Sequence, residues 1–323
     1  MAPRHLRESG GCSPAAAGVV GITTYYHTSV SAGADVARAR EITIGSLPVN
    51  VTATLNANLK ANVDVGLFAA NYAFATPVLG GQASVGLMGL YGRNSTSLNG
   101  SLTGTITLPG GAVIPFARTD SISDSVSGFG DLFPQFALRW NAGVHNYMTY
   151  ITGSIPVGTY SSTRLANIGI GHGAIDAGAG YTYFNPQTGH EFSAVLGFTG
   201  NFKNPDTQYQ SGVDMHLDWG ASQFLSKQTL VGLVGYAYKQ IGCDSGSGDR
   251  VGCFQSQVLG IGPQVGFIFP VGGMQGYLNF KGYKEFAAEN RPEGWNAWVT
   301  FVISPAAPSE APPPPTRRPM YTK

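Results

Sequence analysis

From residue 127 onward the chain is a succession of segments, mostly 10 to 15 residues long, in which apolar and polar side chains alternate and each segment is closed by turn residues. A period of two sends successive side chains to opposite faces of a strand and leaves no helical stripe. The segments run "GFGDLFPQFALRW" (128 to 140), "YMTYITGSIPV" (147 to 157), "AIDAGAGYTYF" (174 to 184), "HEFSAVLGFTGN" (190 to 201), "GVDMHLDWGASQFL" (212 to 225) and "TLVGLVGYAYKQI" (229 to 241). "FQSQVLGIGPQVGFIF" (254 to 269), "MQGYLNFKGYKEF" (274 to 286) and "WNAWVTFVIS" (295 to 304) complete the series.

The connections alternate in length, with short turns after the segments ending near 141, 185, 225 and 269, and longer polar loops after those ending near 157, 201, 241 and 286. Bacterial outer-membrane barrels have this asymmetry, with short periplasmic turns and long outer loops. Upstream, residues 61 to 75 and 82 to 93 read as a hairpin, residues 94 to 126 as a long outer loop, and residues 18 to 30 as a first strand. The sum is an even count of about 12 strands, which puts both ends of the barrel on the periplasmic side. Charged residues make up 11% of the chain, against roughly 25% in an ordinary soluble domain. No window reaches the ~18 apolar residues of a membrane helix. A net charge of +1 gives no electrostatic case for nucleic acid. The expectation is an all-β protein: a transmembrane, antiparallel, up-and-down β-barrel in the bacterial outer membrane.

Three regions follow: residues 1–17 as a disordered N-terminal segment, 18–304 as the barrel, and 305–323 as a Pro-rich periplasmic tail that cannot join a sheet. The N-terminus has basic residues but no apolar core with a small-residue cleavage site, so an export signal is expected upstream of Met1. Cys243 and Cys253 enclose the polar stretch "DSGSGDRVG". A disulfide would pin that loop in an oxidising compartment, and two free thiols are the alternative.

In a membrane barrel one alternating set meets lipid, and the other meets water or packed side chains. Phe192, Ala194, Leu196 and Phe198 form a lipid set, which leaves Glu191 inside. Leu132, Phe136, Leu138 and Trp140 point out, with Asp131, Gln135 and Arg139 in. Leu278 and Phe280 point out, with Gln275, Asn279 and Lys281 in, and Asp176 falls on the inner set of its strand. Arg139 and Lys281 could neutralise Asp131, Asp214 or Asp218 across the lumen. These inward residues read either as a polar packing network or as the lining of a translocation path.

Asp214, His216 and Asp218 stand at every second position, which suggests a metal or acid/base centre. The intervening Val213, Met215, Leu217 and Trp219 are apolar, so the same stretch is also a strand with one wet face. Alternate side chains lie about 6 to 7 Å apart and cannot close a metal shell without neighbouring strands. No metal site or cofactor is expected: the Gly-rich "GIGIGHG" and "LGIGPQVG" lack a βαβ context. A barrel enzyme built on Asp214, His216 and Asp218 is the third reading of the chain.

The stretches "SGFGDL", "PVGTYSSTRLANIGIGH", "NPDTQYQSGVDMHLDWG", "DSGSGDRVG", "GIGPQVGF" and "EFAAENRPEGWNAWVTFVIS" resemble, in order, the phenol-degradation meta-pathway family. The resemblance covers residues 127 to 304 well and 47 to 93 weakly. It implies an outer-membrane barrel that passes small hydrophobic or aromatic compounds linked to aromatic catabolism, with outer-membrane lipid and such solutes as its partners. It assigns no catalytic residue. The matching loop positions include Leu165, Asn167, Gly169, Asn204, Pro205, Asp206, Tyr209, Asn290, Arg291 and Pro292, which hint at an outer vestibule or else at strand-joining turns. The alternative function is a structural or adhesive barrel with a plugged lumen.

Overall fold

The computed structural model describes residues 16–33, 51–107, 113–249 and 252–306. The expected disordered N-terminal segment up to residue 15 and the Pro-rich tail from residue 307 lie outside the described residues. Among the described residues there are thirteen strands: β1 (Gly18–Ala32), β2 (Val51–Val78), β3 (Gly81–Thr107), β4 (Val113–Phe129), β5 (Phe133–Ala142), β6 (His145–Ser154), β7 (Ala174–Asn185), β8 (His190–Asn201), β9 (Asp214–Phe224), β10 (Thr229–Gln240), β11 (Gln257–Val271), β12 (Met274–Glu289) and β13 (Glu293–Pro305). All pair antiparallel with their neighbours, and β1 pairs with both β2 and β13. The sheet therefore closes into a barrel of 12 strands with β4 as an extra.

The alternation follows the barrel wall. On β1, Val20, Ile22, Thr24 and Tyr26 are buried inward, while Val19 and Tyr25 stay exposed. The exterior carries an apolar band that includes Phe68, Leu87, Phe136, Ile151, Leu196, Leu233, Ile261 and Phe280, each at least 39% exposed. A closed sheet has no edge to leave unpaired in hydrocarbon, so this exterior is built to lie in a bilayer. Tyr72 packs on Phe74 at the short-turn end, and Tyr91 on Phe129 nearer the long loops. Such aromatic pairs mark the two levels where a membrane gives way to water. At the β11–β12 turn Gly272 and Gly273 both have positive φ, 54° and 82°. Two left-handed residues in a row match the twist of the flanking strands, and glycine takes that conformation without steric cost.

Residues 94 to 126 depart from the expected long loop. β2 and β3 pair from Val51↔Ile106 to Ala73↔Ser84 and, after an irregularity, on to Val78↔Gly81, and β3 pairs with β4 from Thr107↔Val113 down to Tyr91↔Phe129. The three strands form an arm that continues the barrel wall beyond its rim. β4 passes into β5 through a bulge, where Gly130, Asp131 and Leu132 lie opposite only Gly89 and Leu90 before Met88↔Phe133 resumes the ladder. The twelve-strand parity survives because β4 and β5 together make one barrel strand with an outer extension.

Candidate functional site

The inward wall is densely filled. Most inward side chains of β5 to β13 retain under a tenth of their exposure, and many of their polar atoms are hydrogen-bonded, while Asp176 Oδ1, His216 Nδ1 and Asn279 Oδ1 are not. At one level His216 of β9 sits with Nε2 2.9 Å from Asp176 Oδ2 of β7, and Nδ1 3.6 Å from Asp218 Oδ2. The Tyr150 hydroxyl of β6 is 3.4 Å from the same Nε2, and the Thr199 hydroxyl of β8 donates to Asp176. These groups come from strands that are not all adjacent. Tyr150 reaches His216 because Gly178 and Gly197, paired across β7 and β8, leave the intervening wall bare. A Cβ on Gly197 would lie 2.1 Å from the Tyr150 hydroxyl and 2.4 Å from His216 Nε2.

The other inward positions fall into local partnerships. Asp214 accepts from Tyr238 at 2.6 Å and from Asn201 at 3.0 Å. Gln135 donates to Asn71, and Arg139 to Ser84 at 2.8 Å. Glu191 accepts from Ser193 at 2.6 Å. Asn279 donates to the Val265 carbonyl, Lys281 is buried, and Gln275 is partly buried near the β11–β12 turn. Asp131 differs from the expected counter-ion of an inward cation. Its two oxygens accept the backbone amides of Gly158 and Ile170, both at 2.9 Å, so it staples the loop that joins β6 to β7. The bulge that re-aims Asp131 is the physical reason.

Alternation alone did not single out the aromatic part of the lumen. Tyr26, Val65, Val234, Tyr236, Val258, Tyr283 and Trp298 pack as one buried inward cluster on β1, β2 and β10 to β13. Tyr26 and Trp298 lie 4.3 Å apart by ring centroid, and Tyr236 and Tyr283 5.2 Å. Polar tips are met within the cluster: the Tyr236 hydroxyl donates to Glu285 and accepts from Asn296, and the Trp298 indole N–H donates to Asn296 at 2.8 Å. The parity of each strand carried the signal, since Tyr236 and Tyr238 share the inward set of β10 with Val234.

The loop positions that carry the family resemblance collect in a collar at the outer mouth. Asn167 brackets Ser161 with its side chain, and its carbonyl accepts from Asn94 of the arm. Arg164 grips Asp124 of the arm with two N–H groups, at 2.8 and 3.1 Å. The grip holds the Asp124 carboxyl well below the usual carboxylate range, and the Ala166 amide adds to the effect. Asn204 donates to the Tyr160 hydroxyl and accepts the Asp206 amide, while the Tyr209 carbonyl accepts the Asn204 amide. Gln210 exchanges two backbone bonds with Ser245 of the loop that carries Cys243 and Cys253, which are joined with an S–S length of 2.03 Å. Asn290 donates to the Gln255 carbonyl, and the Arg291 guanidinium lies 4.4 Å over the Tyr238 ring. Each loop is thus tied to the next, from the arm round to the β12–β13 turn.

Among the described residues no group of three His, Cys, Asp or Glu stands in metal-holding geometry. The Tyr150 hydroxyl meets the His216 imidazole, and the Thr199 hydroxyl donates to Asp176.

Comparison with known proteins sets this geometry beside other barrels. The family described as "Putative MetA-pathway of phenol degradation" matches residues 19–301. The crystal structure of the COG4313 outer membrane channel from Pseudomonas putida F1 aligns with a TM-score of 0.64 at 13% identity, over 91% of this chain and 97% of that one. At that identity the likeness is one of fold, and the fold is that of a bacterial outer-membrane barrel. A FadL homologue from Pseudomonas aeruginosa aligns at TM-score 0.37 and 9% identity, over 91% of this chain and 94% of that one, too weakly to carry an argument. No curated protein matches this chain.

Proposed function

The chain belongs to the family described as the MetA-pathway of phenol degradation, and from that premise we propose that it is an outer-membrane channel for passive uptake of small hydrophobic or aromatic solutes. The single observation that carries this reading is the inward cluster of Tyr26, Tyr236, Tyr283 and Trp298 among valines. Ring faces with hydrogen-bonding tips suit an aromatic solute that bears a polar group, because stacking and a hydroxyl contact can be offered together. The dense packing of the inward face argues against a wide aqueous pore, so passage would proceed by displacement of side chains along this cluster. Gln135, Arg139, Asp176, Glu191, Asp214, His216, Asp218, Gln275, Asn279 and Lys281 would form the polar part of the same path, and Asp131, whose two oxygens hold the β6–β7 loop, would stand apart from it.

Intact cells that lack the gene, supplied with labelled phenol at micromolar concentration, should take it up several-fold more slowly than complemented cells. Equal initial rates would overturn the reading. The same dense packing favours a second reading, a structural barrel with a filled lumen. Unchanged solute entry together with a weakened envelope in the deletion strain would support that one instead.

A further inference from the structure

On the outer wall a cationic and aromatic strip interrupts the apolar band at its extracellular margin. Lys284 of β12 is exposed on the lipid-facing set, between Phe280 and Phe286, which are 40% and 43% exposed. It stands directly opposite Trp295 of β13, 48% exposed. The Trp295 ring packs against His27 of β1 with centroids 4.9 Å apart. His27 in turn bonds Asp64 of β2 at 2.7 Å, and Asp64 lies opposite Arg93 of β3. Farther out, Lys60 is exposed opposite Ser31.

The charges on this strip do not cancel. Asp64 is answered by His27 and lies opposite Arg93, and Glu293, opposite Ser31 on the row that leads to Lys60, accepts the Ala288 amide, whereas Lys284 and Lys60 form no ion pair with any described residue. An ammonium on a lipid-facing wall extends to headgroup level, and none of the described residues supplies its counter-charge there. Exposed indole and phenyl rings directly beside it supply surface for sugar faces and acyl chains. We infer that the strip from Lys284 to Lys60 binds the phosphorylated glucosamine headgroup of an outer-leaflet glycolipid, lipid A. The two lysines take its phosphates, Trp295 lies against its sugar, and Phe280, on the membrane side of Lys284 along β12, lines its acyl chains. The inference rests on the membrane placement of the barrel and is independent of which solute passes through it.

The test uses the full chain, purified in detergent and stripped of lipid, with its thermal midpoint followed by heat-modifiable gel mobility. Bisphosphorylated lipid A should raise the midpoint, monophosphorylated lipid A should raise it less, and phosphatidylglycerol should leave it near the lipid-free value. K284A/K60A should keep the lipid-free midpoint and lose the rise, and K284R/K60R should retain it. K284Q/K60Q carries the same comparison should the alanine pair not fold. No rise for the wild-type chain, an undiminished rise in the charge-removed variant, or an equal rise with phosphatidylglycerol would overturn the assignment.

Discussion

His216 Nε2 and Asp176 Oδ2 face each other at 2.9 Å inside the barrel, two strands apart, with the Asp176 side chain only 2% exposed. Removing one partner of a buried carboxylate–imidazole hydrogen bond strands the other, which typically costs about 1 to 3 kcal/mol, and more for a charged group. Asp176→Ala should therefore destabilise the barrel by about that much, and Asp176→Asn by less, since the amide still accepts from Thr199. The double variant Asp176→Ala/His216→Ala should lose less than the sum of the singles. Urea unfolding in detergent, analysed as a double-mutant cycle, measures the coupling. Strict additivity would show that the contact is not energetically real.

The Asp131 staple makes a separable prediction. Asp131→Ala removes the acceptor of two backbone amides, at about 1 to 3 kcal/mol for the buried groups left unpaired. The loss should fall on the loop between β6 and β7 and not on the barrel. Limited proteolysis should cut between Gly158 and Ile170 at least several-fold faster, with heat-modifiable mobility preserved.

A pH dependence follows from Asp124 and Arg164. The Asp124 carboxyl is held below its unfolded-state value of about 3.9. A depressed carboxylate contributes stability that is fully present above that unfolded value and is lost only as pH falls through the lower folded-state value. Docking of the loop on the arm should hence be flat from neutral pH to about pH 5 and weaken only in stronger acid. The pair is exposed, so salt should weaken it too. Hydrogen exchange of the loop against pH reads this directly, and Arg164→Ala should abolish the acid transition.

Reduction of the Cys243–Cys253 bond, which spans 10 residues of sequence, should loosen the outer collar. The chain-entropy account gives about 2.5 to 3 kcal/mol for a loop of that size. Cys243→Ser/Cys253→Ser should accordingly raise protease access between Gly242 and Ser256 and leave the barrel strands protected from exchange.

Much of this was legible in the sequence because pleat parity is a local property. Phe192, Leu196 and Phe198 declare the lipid face of β8 without reference to any partner. The arm was hidden because its residues, as in "NSTSLNGSLTGTIT", are the Ser, Asn and Gly that usually make loops, and only pairing with β2 and β4 holds them extended. The environment of Asp131 was hidden for another reason: one extra residue in the bulge at 130 to 132 breaks the alternation that places every other inward group. His216 was read as inward, but its partner Asp176 could not be named, because a barrel register is set by contacts distant in sequence.

The central claim, selective passage of small aromatic solutes, is met most directly by entry rates into vesicles whose outer leaflet carries lipopolysaccharide, which slows apolar solutes by itself. With the protein reconstituted, phenol should enter several-fold faster than into empty vesicles while arabinose entry stays at the empty-vesicle rate. Equal phenol rates with and without the protein, or arabinose entry raised as much as that of phenol, would contradict the account.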